Sequence, residues 1–132
     1  MSKGDTTEET GERVDRLAPE SQLTRDDIFH VLQCRRRRLV LKYLQEYGGA
    51  EPARMSDIAE RVAAVEHDTT VASLDSRQRQ RVYIALYQDH LPKMDQVGVI
   101  DYNKSRGEIE PTASTDAFYR YLDCEPSLLS DS

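Results

Sequence analysis

The segment from Ser76 to His90 has an almost unbroken helical composition, opened by Asp75 or Ser76 as an N-cap and followed by Pro92, which permits a bend into a last turn ending near Gly98. What flanks this segment constrains the fold most. Three shorter helical patterns precede it. Thr24, followed three residues later by Asp27, caps the first, at about 24–33, with Ile28, Val31 and Leu32 on one face. The second, at about 35–47, places Leu39, Val40, Tyr43, Leu44 and Tyr47 at helical spacing and stops at Gly48-Gly49. A turn through Glu51-Pro52 leads to a third, capped by Ser56, whose buried stripe is Ile58, Ala59, Val62 and Val65. The stretch from His67 to Leu74 has no clear period and reads as a loop. After the long helix, Val99 to Asn103 and Glu108 to Pro111 flank the polar tetrapeptide Lys104-Ser105-Arg106-Gly107, which is a hairpin signal. A final short helix, at about 114–122, carries Phe118, Tyr119, Tyr121 and Leu122.

This order predicts a mainly α fold with a small β-hairpin, on the plan of a winged helix-turn-helix: the 76–90 helix would enter the major groove and the 99–111 hairpin would be the wing. A chain of 132 residues leaves room for one domain. Its boundaries are read as an acidic disordered tail at 1–21, the winged-helix domain with its C-terminal helix at 22–123, and a flexible tail at 124–132. No apolar run approaches the roughly 20 residues that span a bilayer, and the polar N-terminus has no signal-peptide character, so a cytoplasmic location is expected.

A net charge of −6 looks hostile to nucleic acid until it is apportioned. Residues 1–24 and 113–132 each carry a net −3, and 25–112 is neutral, with 14 bases against 14 acids. Within that block the bases are clustered, and clusters make the electrostatic footprint of a binding face. Arg77 and Arg81 share a helix face, Arg79 lies near the same helix end, and Gln78 and Gln80 add side chains able to read base edges. Positive charge at a helix N-terminus opposes the macrodipole, so these arginines answer a demand other than helix stability. The bland alternative is pairing with acids such as Asp75 or Glu108. Lys104 and Arg106 would lie at the hairpin tip, on phosphate or in the minor groove. The run Arg35 to Arg38 fans around most of a helix, so its four members cannot all meet one partner. Arg36 is expected to lean inward, toward Asp26, Asp27 or Asp57, and Arg35 is a candidate DNA contact.

Double-stranded DNA is therefore the expected partner of a transcription regulator with no enzyme activity, no cofactor and no metal. His30, His67 and His90 stand alone, and no hydrolase, metalloprotease or phosphate-loop motif occurs. Cys34 and Cys124 lack zinc-ligand spacing, and Cys34 is read as a small buried residue. Tyr83 and Tyr87 are read as packing against the body or a dimer mate. Phe118, Tyr119, Tyr121 and Leu122 cover more than one helical face, which predicts a homodimer interface. The alternative function is a winged-helix adaptor for protein–protein contact without direct DNA binding, because the fold does not choose. A third reading, a thiol or ligand sensor, would need Cys34 or a pocket near the 67–74 loop.

Asp27-Ile28-Phe29 with Val31-Leu32, the basic run into Leu39-Val40-Leu41, Ser56-Asp57-Ile58-Ala59-Glu60, Arg81 to Tyr87, His90-Leu91-Pro92-Lys93-Met94 and Gly98-Val99-Ile100 together carry a resemblance over about 23–112. The chain resembles a widespread haloarchaeal family of winged-helix domains, uncharacterised apart from a transcriptional role ascribed by similarity. The resemblance implies the fold and that role. It supplies no operator, effector or catalytic residue. The acidic excess fits proteins that stay dissolved in molar salt, and the long His67 to Leu74 connection departs from a tight helix-turn-helix.

Overall fold

The computed structural model describes residues 23–48 and 51–129. The acidic tail expected at 1–21 lies outside them, as do residues 130–132. The described residues are mainly helical with a small three-stranded antiparallel sheet. In chain order they form α1 (Arg25–Leu32), α2 (Arg35–Tyr47), β1 (Ala53–Arg54), α3 (Met55–Glu66), a 3-10 turn (Val71–Ser73), α4 (Ser76–Ala85), a π turn (Leu86–His90), α5 (Leu91–Gln96), β2 (Ile100–Asn103), β3 (Glu108–Pro111) and α6 (Asp116–Tyr119). No described helix is long and apolar enough to cross a membrane.

Local chemistry explains most boundaries. Thr24 and Asp27 form a reciprocal capping box at the start of α1. Gly48 ends α2 in the left-handed conformation, at φ 48°, with its N–H on the Leu44 carbonyl. Pro92 lacks the N–H that would bond back one turn, and the helix widens just upstream into the π turn, so the long rod continues through α5 rather than stopping at His90. The Ser56 cap expected for α3 is replaced by another start. Arg54 is the N-cap residue and makes no side-chain cap bond; instead the Met55 N–H donates to the Gly107 carbonyl at 2.8 Å. This occurs because β1 pairs with β3, Ala53 opposite Ile109 and Arg54 opposite Glu108, and feeds straight into the helix. The hairpin itself pairs Tyr102 with Ile109 and Asn103 with Glu108, giving the sheet order β1-β3-β2.

The core is built from α2, α3 and the long rod over the inner face of the hairpin, with Leu39, Ile58, Leu86, Met94 and Ile109 fully buried. Phe118 and Leu122 join it. They were the centre of the expected dimer interface, yet they are taken up by the protomer's own core, because Thr112 and Thr115 hydroxyls bond the Gly98 and Val99 carbonyls at 2.6 Å and fold the C-terminal segment back. Tyr119 is half-buried, and only Tyr121 of that group is well exposed. The tail expected to be flexible from 124 is likewise anchored as far as the structure describes it: Glu125 and Leu128 are buried, and the Leu128 N–H donates to Glu46 at 2.7 Å.

The four consecutive arginines of α2 are all engaged, two of them on one shared carboxylate. Arg35 and Arg38 both donate to Glu125, at 3.1 and 2.9 Å. Burial alone would raise that carboxyl's pKa, but the hydrogen bonds from Arg38 and Arg35 hold it below the ordinary range. Arg36 grips Glu66 with two bonds of 2.6 Å. The inward-pointing member is Arg37 rather than Arg36: it is 6% exposed and donates to the His30 carbonyl at 2.7 Å and to His90 Nδ1 at 3.1 Å. The apolar stripe did not distinguish the two, because α2 is buried at Leu39, Val40 and Leu41 in succession.

Accepting that bond requires His90 to be neutral at Nδ1. Burial, and next the Arg37 charge, push the His90 pKa below its ordinary value; Arg36 and Lys93 act the same way, and Asp89 opposes them. The unfolded chain therefore binds a proton that the folded chain resists, so stability is intact above the unfolded His pKa of about 6.5 and is lost as pH falls from there. Denaturant midpoints measured between pH 7.5 and 5.5 should decline in the wild type and flatten in His90→Gln, whose amide oxygen can still accept from Arg37.

Candidate nucleic-acid interface

Asp75 opens α4 with a capping box: its carboxylate accepts from the Gln78 N–H at 2.8 Å, and Gln78 Oε1 accepts from the Asp75 N–H at 3.0 Å. Gln78, expected as a base-reading side chain, is thus a cap residue with its amide oxygen engaged at the start of α4. Arg79 is also turned to structure. Its guanidinium donates to the Leu74 and Val71 carbonyls at 3.1 and 3.0 Å and lies 3.7 Å from Glu60. The 67–74 connection is held in place this way. Leu74 is buried beneath it, Thr69 bonds back to Ala64, and Asp68 takes a left-handed turn at φ 52°. The long connection is therefore an ordered turn stapled to α3 and α4 by one arginine.

What remains on the outer face of α4 is Arg77, Gln80, Arg81, Tyr83 and Ile84, all exposed, with Tyr87 following in the π turn. Val82 and Leu86 are the buried positions on the opposite side. Among the described residues, Arg77 and Arg81 make no ion pair, in contrast to Arg79 and to every arginine of the α2 run. The expected alternative, pairing with Asp75 or Glu108, does not occur among those residues either.

The hairpin turn is brought to the same side. Gly107, at φ 65°, closes the turn with its N–H on Asn103, while Asn103 Oδ1 accepts from Ser105 and from the Arg106 N–H. Lys104 Nζ sits 4.8 Å from the centre of the Tyr87 ring, a cation–π contact that ties the hairpin tip to the rod. Tyr102 donates to Met55 Sδ at 3.5 Å beneath it. Tyr83 and Tyr87 are thus largely exposed, at 41% and 39%, rather than packed into the body. The strands behind the tip are acidic: Asp101, Glu108 and Glu110 line a shallow hollow with Arg106.

Other expected sites fall elsewhere. Arg35 is bonded to Glu125 and is not grouped with the α4 cations. Cys34 is half-buried at the N-cap of α2 and Cys124 is exposed, both as free thiols. A cleft of about 530 Å³ lies between Arg35, the end of α3 and Pro126-Ser127. No group of three or more metal-ligating side chains gathers among the described residues. The signal that escaped the sequence reading is Ile84, which no helical periodicity calls for on this face.

Residues 29–110 match the family model of a domain of unknown function, DUF7344, over well more than half of the chain, so the chain belongs to that family. No curated protein matches it, and no solved structure does. The matched span runs from within α1 into β3, one residue short of its end, and so takes in α4 and the hairpin turn.

The two kinds of arginine on α4 should separate in stability. Arg79→Ala should cost about 1–3 kcal/mol by leaving two turn carbonyls without their donor, whereas Arg77→Ala should stay within about 0.5 kcal/mol of wild type. Urea denaturation of both variants checks this.

Proposed function

We propose that this member of the DUF7344 family is a DNA-binding transcription regulator of the winged helix-turn-helix type, with α4 in the major groove and the β2–β3 hairpin as its wing. The observation that carries the reading is the contrast in charge pairing: the chain neutralises its other clustered arginines internally and leaves Arg77 and Arg81 free of described partners on one exposed helix face. Lys104 and Arg106 belong to the hairpin turn, and Lys104 ties that turn to the rod through Tyr87. Arg77, Arg81 and Gln80 would reach base edges or adjacent phosphates, and the tip cations would position the duplex. The acids behind the tip would confine wing contact to Lys104 and Arg106.

A homodimer is the proposed working unit. With Phe118 and Leu122 in the core, the C-terminal region offers Tyr121 and Leu129 at 47% and 41% exposure, and α1 offers Phe29 at 66%. The alternative, a protein-interaction adaptor, draws on the same exposed Tyr83 and Tyr87, but it leaves the free arginines without a purpose.

Binding to a promoter-derived duplex pool, measured at low ionic strength and in molar KCl, tests the reading. Arg81→Ala should cost about 1–3 kcal/mol on the preferred site and relax its sequence preference, whereas Arg106→Ala should weaken all sequences alike and lower the salt slope by about one. If the wild type retains no duplex in either salt, or if reversing Arg77 and Arg81 to Glu leaves binding intact, the adaptor reading takes its place.

A further inference from the structure

Helical geometry places Ile84 near the middle of the outward arc of α4. It lies two residues, about 200° of arc, from the buried Val82, and one turn beyond Arg81 and two beyond Arg77. Its side chain is 42% exposed, and it is not among the apolar groups that pack against the core. A β-branched side chain at an exposed helical position contributes nothing to helix propensity, and a polar residue would serve solvation better. The neighbouring aromatics have local tasks: Tyr87 carries Lys104, and Tyr83 walls the shallow groove between α3 and α4 with Ser56 and Ala59. Ile84 has a short aliphatic side chain on the face that carries Arg77 and Arg81, one turn before Tyr87, over whose ring Lys104 sits. The surface complementary to that pattern is a polyanion that presents an apolar group between its charges. Double-stranded DNA does so at one base, thymine, whose C5-methyl group projects into the major groove.

We propose that Ile84 is a specificity-determining residue that reads a thymine methyl group in the major groove, one helical turn beyond the base contacts of Arg81. The inference rests on the DNA-binding reading above and adds the base it selects. It divides the recognition face into a polar half, at Arg77, Gln80 and Arg81, and an apolar element at Ile84 that discriminates thymine from cytosine without a hydrogen bond.

The test uses the full chain and a duplex selected by it from a random library, remade with deoxyuridine in place of thymine at one position at a time. Deoxyuridine keeps every hydrogen-bonding group and removes only the methyl. Wild type should lose about fourfold in affinity at one or two positions, the worth of burying one methyl-sized group. Ile84→Ala should bind the thymine and deoxyuridine duplexes equally, and Ile84→Val should keep most of the discrimination. Circular dichroism melts establish that these surface variants stay folded. Duplex binding that depends on Arg77 and Arg81 but is indifferent to deoxyuridine at every position would overturn the inference and leave the regulator reading standing. The same holds if Ile84→Ala keeps the full thymine preference, or if it dissociates a dimer while that preference persists. Failure of the wild type to bind any duplex would overturn both.

Discussion

Four neighbouring guanidinium groups on one helix would repel one another and could not be buried without partners, and the way this chain satisfies them organises the rest of the molecule. Arg37 is the pivotal case. Its guanidinium lies inside the protein between the His30 carbonyl, at the end of α1, and His90, in the π turn of the rod. Arg36 reaches the last residue of α3, and Arg35 and Arg38 converge on Glu125 near the C-terminus. Because the run points in three directions around α2, with Arg35 and Arg38 sharing one, it joins helices that the apolar core alone would bring together without fixed relative rotation. Truncating Arg36, Arg37 or Arg38 would leave a carbonyl, a carboxylate or an imidazole in partial burial without its donor, whereas Glu125 would keep Arg38 if Arg35 were truncated.

The same logic of assigned partners explains why α4 and the hairpin can act as one surface. Met55 at the start of α3 is bonded to Gly107 in the hairpin turn, and Tyr87 on the rod carries Lys104 at the tip. The turn is therefore attached both to α3, which precedes α4, and to the rod that α4 begins. Arg79 closes the remaining side by fastening the connection between α3 and α4 to the carbonyls of Val71 and Leu74. A surface assembled from three elements in this way is preorganised, so little ordering of loops would oppose association with a rigid partner.

Much of the architecture was legible because it rests on short-range chemistry. Thr24 with Asp27, a cap at Asp75 or Ser76, the glycine at 48 and the tetrapeptide at 104–107 each announce a boundary through a local backbone requirement, and each boundary lies close to where the residues place it. Long-range pairings were not legible. A two-residue strand at Ala53–Arg54 has no period to detect, and it displaced the cap expected of Ser56. Whether Arg79 faces solvent or a carbonyl depends on how an aperiodic connection folds. Whether Phe118 serves a subunit contact or the core depends on two threonine hydroxyls that draw the chain back. On the candidate surface, Arg77 and Arg81 could be identified from their helical spacing, whereas Arg35 and Gln78 carried the right chemistry and were engaged elsewhere.

One bond at the edge of the sheet occupies a donor that an open strand would leave free. The Tyr102 N–H does not face β3 but donates to the Asp95 carboxylate at 3.0 Å, from the helix that leads into β2. β2 is the outermost strand on that side, and an open strand edge is a template on which another chain can continue the ladder. Asp95 occupies the donor that such an incoming strand would need, and its negative charge would repel the carbonyl that strand would bring. A strand added at this edge would have to displace the Asp95 carboxylate from the Tyr102 N–H, so this edge is a poorer template for a further strand than a bare ladder would be.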